Sequence, residues 1–170
     1  MKVKIKNYKK EYQIINHSEV ILETRKPKWY SSEINFNYNG KQYEIKKSGF
    51  WNISHTIFEI ERPIGKIDFS SMKGGVIRIK NKNDTYNEYT LKKEKVGKWY
   101  TSVRKYVLYN NDLNTVLTIH YDVKFWLGVE DISVSFNDVP SPDFVLLVCS
   151  LFLMRQQLSS ENNSNATMVG

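Results

Sequence analysis

The chain has 170 residues, 25 Lys and Arg against 18 Asp and Glu, and one cysteine. That length fits one domain able to bury about 70% of its unfolded surface, so no covalent staples are needed. The lone Cys149 excludes an internal disulfide framework, and no Cys/His pair has zinc-ligand spacing.

The N-terminus, Met1-Lys-Val-Lys-Ile-Lys, alternates charge with apolar residues and lacks the apolar stretch of a secretory signal. A reducing cytoplasm is the expected setting, with the chain peripheral to a membrane if it meets one. From there to Val139 the pattern is strand-like almost throughout. Glu33–Tyr38 alternates polar with apolar residues, Asn39-Gly40 interrupts, and Gln42–Lys46 resumes the alternation. Asn-Gly between two such runs predicts a tight hairpin, because both residues tolerate positive φ. Further runs follow at Thr56–Glu61, Ile64–Phe69, Val76–Lys80, Tyr86–Lys92, Arg104–Tyr109, Val116–Val123 and Ile132–Phe136. Pro63 with Gly65, Gly74-Gly75, Asn83-Asp84 and Asn110-Asn111-Asp112 read as the turns between them. Ten to twelve short strands at this spacing predict a mainly β barrel or sandwich.

Two stretches look alike. Tyr43-Glu-Ile-Lys-Lys, Phe50-Trp51, Ile57–Ile60, Ile64–Ile67 and Val76–Ile79 form one series. Tyr89-Thr-Leu-Lys-Lys, Trp99-Tyr100, Tyr106–Leu108, Val116–Ile119 and Ile132–Phe136 form the other. The expected arrangement is two similar halves closing on one another.

The texture then changes. Ser141-Pro142-Asp143 has the form of a helix start, with a hydroxyl to cap, proline at the first helical position and an acid in the first turn. Phe144–Met154 contains one polar residue, Ser150, and Arg155 follows where a cation would suit the helix dipole. A helix apolar around its whole circumference belongs in a core or a membrane. Eleven residues span about 16 Å, against about 30 Å of hydrocarbon, so a core helix over about 142–157 is expected. Burying nine large apolar side chains contributes on the order of 15–25 kcal/mol before chain entropy, more than the roughly 5–15 kcal/mol net stability of a domain. The domain is expected over 1–158, with a disordered Ser/Asn-rich tail over 159–170.

An all-β chain with two similar stretches and a C-terminal, wholly apolar helix resembles the tubby C-terminal-like superfamily, which includes tubby proteins, phospholipid scramblases and LURP-one-related proteins. The likeness is one of layout and hydrophobic texture, carried by the segments from Tyr43 and Tyr89, the aromatic pairs, Ile64–Ile67 and above all Pro142–Met154. It implies a closed antiparallel barrel of about twelve strands around the helix, and in some branches lipid binding. The cationic phosphoinositide site of tubby proteins has no match here.

Catalytic constellations are scarce. His17, His55 and His120 are far apart in sequence, and His120 with Asp122 on one strand face is the single candidate pair, for a barrel-mouth enzyme. No cofactor or metal is expected. Binding has more support: Lys92, Lys93, Lys95, Lys98, Arg104 and Lys105 surround Trp99 and Tyr100, with Glu94 the one acid among them. Cations attract phosphates and Trp and Tyr favour the bilayer interface, so anionic phospholipid head groups are the expected partner, ahead of single-stranded nucleic acid. A solvated hairpin with its aromatics turned inward, and a tail-anchored protein using Phe144–Met154, are the competing readings. Leu147→Asp or Leu151→Asp should abolish folding, because an unpaired buried carboxylate adds several kcal/mol to the lost burial. Truncation after Leu158 should be close to neutral. A soluble, cooperatively melting Leu147→Asp protein would contradict the helix placement.

Overall fold

The computed structural model describes residues 1–166 except 7–10, 29–30, 49–53, 71–73, 82, 95, 97–102, 125–128 and 138–142. Twelve strands form a closed antiparallel barrel in which every strand pairs with its neighbours in sequence, and β1 closes on β12. They are β1 (Lys2–Lys6), β2 (Glu11–Asn16), β3 (Glu19–Arg25), β4 (Ile34–Tyr38), β5 (Lys41–Ser48) and β6 (Ser54–Glu59). The second six are β7 (Arg62–Ser70), β8 (Gly74–Lys80), β9 (Tyr86–Glu94), β10 (Arg104–Asn110), β11 (Thr115–Lys124) and β12 (Val129–Phe136). One helix, α1 (Phe144–Ala166), follows.

Alternation decides which side chains face in. Tyr43 and Ile45 on β5, Leu117, Ile119 and Tyr121 on β11, and Ile132 and Val134 on β12 are all buried, with more exposed residues between them. An eight-stranded barrel is just filled by its own side chains, so twelve strands leave a wider lumen. The helix fills it. Phe144–Met154 are buried, and the hydroxyl of Ser150 donates to the Leu146 carbonyl at 2.8 Å, so the run's one polar group is satisfied within the helix.

Several expectations need correction. Asp143 caps the helix: its Oδ1 accepts from the Leu146 N–H at 2.9 Å while its carbonyl accepts from Leu147. Ser141 and Pro142, expected as cap and first helical residue, lie outside the described residues. The helix does not give way to a disordered tail at 159 but continues to Ala166. Arg155 is therefore mid-helix, and its partner is Glu130 on β12 rather than the end of the dipole. Among the residues whose burial is described, Leu158 is the last one buried, so the truncation removes none of the described core. The similar stretches fall on β5–β8 and β9–β12, a four-strand offset that makes them two thirds of the barrel and not two halves.

Turns also differ from expectation. Asn39-Gly40 has φ of 50° and 72°, the expected two-residue hairpin, but His17-Ser18 and Ile60-Glu61 make the same turn with less permissive residues. Pro63 and Gly65 lie inside β7. A Cβ on Gly65 would fall 2.4 Å from the Arg78 carbonyl oxygen, so this glycine admits a neighbouring backbone. Gly74-Gly75 opens β8, and a Cβ on Gly75 would sit 2.2 Å from Leu153 Cδ2. The helix runs nearest β7, β8 and β9, and the missing side chain at 75 is what lets Leu153 approach.

Gly75→Ala should cost about 1–3 kcal/mol by overpacking. The cost should shrink in a Leu153→Ala background; a denaturant-melt double-mutant cycle showing strict additivity would contradict this contact.

Candidate anionic-surface site at one end of the barrel

Because the strand order is a simple meander, connections alternate between the two ends of the barrel. Lys92 and Lys93 lie on β9, and Arg104 and Lys105 on β10, at the end where β9 stops and β10 begins. Lys95, Lys98, Trp99 and Tyr100 lie outside the described residues.

The described cations do not form one patch. Period-two geometry puts Lys93 on the face of inward Leu91 and Arg104 on that of inward Tyr106. There Glu161 of the helix takes both, Lys93 at 2.9 Å and Arg104 at 3.1 Å. Lys105 lies on the outer face with Glu94 at 2.7 Å, and the Tyr109 hydroxyl donates to the same carboxylate. Lys105 and then Tyr109 hold Glu94 below the ordinary carboxylate range. Lys92 stands 5.6 Å from the Tyr109 ring centroid. In the other similar stretch, Lys46 pairs with Glu44 and lies 5.6 Å from the Phe58 ring. Glu161 falls in the Ser/Asn-rich stretch that reads as a tail, and no sequence signal marks it as a partner. The split between faces was readable from alternation once Lys92 and Lys93 were placed in one strand.

What this end does have is composition. The odd-to-even connections, at 7–10, 26–33, 49–53, 71–73, 95–103 and 125–128, all leave this end of the barrel. Together they carry seven lysines, one carboxylate (Glu33) and all four tryptophans, Trp29, Trp51, Trp99 and Trp126. The even-to-odd connections and the link into the helix, at 17–18, 39–40, 60–61, 81–85, 111–114 and 137–143, leave the other end. They carry five carboxylates, one lysine and no Phe, Trp or Tyr. Of the lysines, carboxylate and tryptophans in this first set, Lys26, Lys28 and Glu33 are described and the others lie outside the described residues.

Several buried or part-buried polar side chains lie at this end of the lumen. Arg155 lies over Tyr121, its guanidinium carbon 5.7 Å from the ring centroid, and pairs with Glu130. Burial pushes the Tyr12 hydroxyl up to about 12, and it donates to the Leu151 carbonyl at 3.3 Å. His55 is also buried, edge-on to Phe152 with ring centroids 4.7 Å apart.

The candidate catalytic pair fares less well. His120 is exposed and Asp122 half-buried, while their strand neighbours Ile119 and Tyr121 are buried, so both point outward from the barrel wall and not into a mouth. Burial pushes the Cys149 thiol up, leaving it a packed, protonated group. Among the described residues no group of His, Cys, Asp and Glu could hold a metal ion, and no helix is long and apolar enough to cross a membrane. No family model matches the chain, and neither a curated protein nor a solved structure is significantly similar to it.

Burial and then the Lys47 ammonium lower the His55 pKa from 6.5 to about 4. Between those values the unfolded chain binds the extra proton, so stability should fall as pH drops from about 6.5 toward 4, by on the order of 2–3 kcal/mol. Denaturant melts at pH 7.0 and 5.0 check this. His55→Gln should flatten the dependence in that window, and an unchanged slope would remove His55 as its source.

Proposed function

We propose that the chain is a non-enzymatic binding module that seats one end of its barrel on anionic phospholipid head groups. The observation that supports the reading is the composition of the two sets of connections: seven lysines and every tryptophan in one, five carboxylates with one lysine and no Phe, Trp or Tyr in the other. An eight-residue strand is about 26 Å long, and even tilted it separates the ends by more than the Debye length of about 8 Å at physiological ionic strength. The acidic end therefore does not screen the basic one near a charged surface. It turns the basic end toward that surface, as steering fields do. Each lysine near an anionic leaflet is worth about 1 kcal/mol, and Trp and Tyr anchor at the head-group level.

Lys93, Arg104 and Lys105 pair with carboxylates, so the reading rests on the composition of the connections as a set and not on any one lysine of the two strands. The resemblance in layout to tubby-like proteins points the same way, and we extend the kinship itself as part of the proposal. Single-stranded nucleic acid offers the same phosphate chemistry and is the second partner to test.

Flotation with neutral phosphatidylcholine vesicles and with vesicles containing 30% phosphatidylserine decides the matter. The protein should float with the second set alone, and half-molar salt should release it. Equal recovery with both sets would overturn the lipid reading. Retarded migration of a single-stranded oligonucleotide without flotation would transfer the site to nucleic acid.

A further inference from the structure

The barrel wall is closed unevenly. β3 is seven residues long, yet its pairing with β4 is confined to Thr24 with Phe36 and Arg25 with Asn35. Extending that register would set Glu23 opposite Asn37 and Leu22 opposite Tyr38, but no such pairs form. On their other sides both strands are well paired, β3 to β2 through Glu19–Glu23 and β4 to β5 along its whole length. The cause lies in β3. Ile14 faces Leu22 and Ile15 faces Val20, so Ile21 is an extra residue in a bulge. A bulge bends its strand and sharpens its twist, here carrying β3 away from β4.

A furrow follows the split. One part, about 640 Å³, is lined by Val20–Glu23 and Arg25 of β3 and by Asn35–Asn37 of β4, with Lys26, Pro27 and Gln42 at its margin. A second part, about 300 Å³, shares Val20, Ile21 and Asn37 and runs on to the Asn39-Gly40 turn. Leu22 and Phe36 are buried beneath it, whereas Val20 is 46% exposed. Asn35 Oδ1 is buried in the wall of the furrow without a hydrogen-bond partner.

We propose that this seam takes an extended peptide from a partner protein as an added strand on β3. The chemistry that fits it is main chain: the seam side of Val20–Glu23 is a strand edge about 13 Å long, of the kind that captures extended peptides. Two alternate apolar side chains of the peptide lie on Val20 and Ile21. β3 runs from Glu19 to Arg25 and its last two residues are taken by β4, so an antiparallel peptide starts beside Glu23 and ends beside Val20. The exposed Arg25 and Glu19 side chains flank that edge, so an acidic residue before the apolar pair and a basic one after it complete the match. The unpaired stretch Val20–Glu23 lies toward the acidic end of the barrel, although the furrow's lining at Lys26 and Pro27 reaches the basic end.

The probe is a phage-displayed library of random octapeptides selected on the whole chain, followed by hydrogen exchange with the enriched sequences as synthetic peptides. Enriched peptides should alternate β-branched or aromatic residues and slow exchange in β3 and β4 at the seam by tenfold or more. Val20→Lys places a charged gatekeeper on an already exposed position and should weaken binding at least tenfold with an unchanged melt. Failure to enrich, a protection footprint elsewhere, or undiminished binding to Val20→Lys would each overturn the proposal. No vesicles are present, so the outcome does not depend on the flotation result.

Discussion

The constraint on which this molecule depends is the fate of one apolar rod. Phe144–Met154 is too short for a bilayer and too apolar for water, and a closed sheet of twelve strands has a lumen too wide for its own side chains. Each element supplies what the other lacks. Leu147, Val148, Cys149, Leu151, Leu153 and Met154 are each at or near zero exposure, in one core cluster with inward residues from all twelve strands, Val3, Tyr12 and Leu22 among them. The core is thus a single cluster that no subset of strands can complete, and folding is expected to be cooperative across nearly the whole chain.

Specific contacts set how deep the rod sits. Leu153 approaches β8 where Gly75 has no side chain, fixing one level of the helix against the wall. Two residues on, Arg155 reaches Glu130 and lies against Tyr121, at the end where β1 and β12, paired at Lys2 with Ser133 and Val3 with Ile132, have parted. Such a buried pair adds little net stability, but an unpaired Arg155 there would be costly. Sliding the helix by one turn would strand that charge and drive Leu153 into a wall without a glycine. Register, rather than affinity, is what these residues contribute.

The barrel and its helix were legible because their signals are local. Alternation marks a strand whatever it pairs with, and an unbroken apolar run marks a buried helix. Turns were legible only where composition matched conformation. Asn39-Gly40 announces positive φ, whereas Ile60-Glu61 adopts 47° and 65° with residues that carry no such signal. Gly65 and Gly75 were misread because a glycine that admits a neighbour looks the same in sequence as one that turns the chain. The helix beyond Leu158 was missed since Ser and Asn suit a tail, and the ion pairs of Glu161 with Lys93 and Arg104 depend on strands more than fifty residues away.

The grouping of cations shows the same limit from the other side. Counted along the chain, Lys92 to Lys105 is a dense basic cluster; placed on two strands, its described members divide between the inner and outer faces and meet carboxylates. The larger asymmetry is invisible in any single window, since the seven lysines and four tryptophans are spread over six connections. It emerges from strand order, because a meander returns every second connection to the same end. The β3–β4 seam follows from that same order. In a closed meander a bulged strand has no other neighbour to take, so the misfit at Ile21 is expressed as an opening in the wall, and it falls on the half of the seam farther from the basic rim. One topology thereby sets both the grouping of the connections and the place of the open edge.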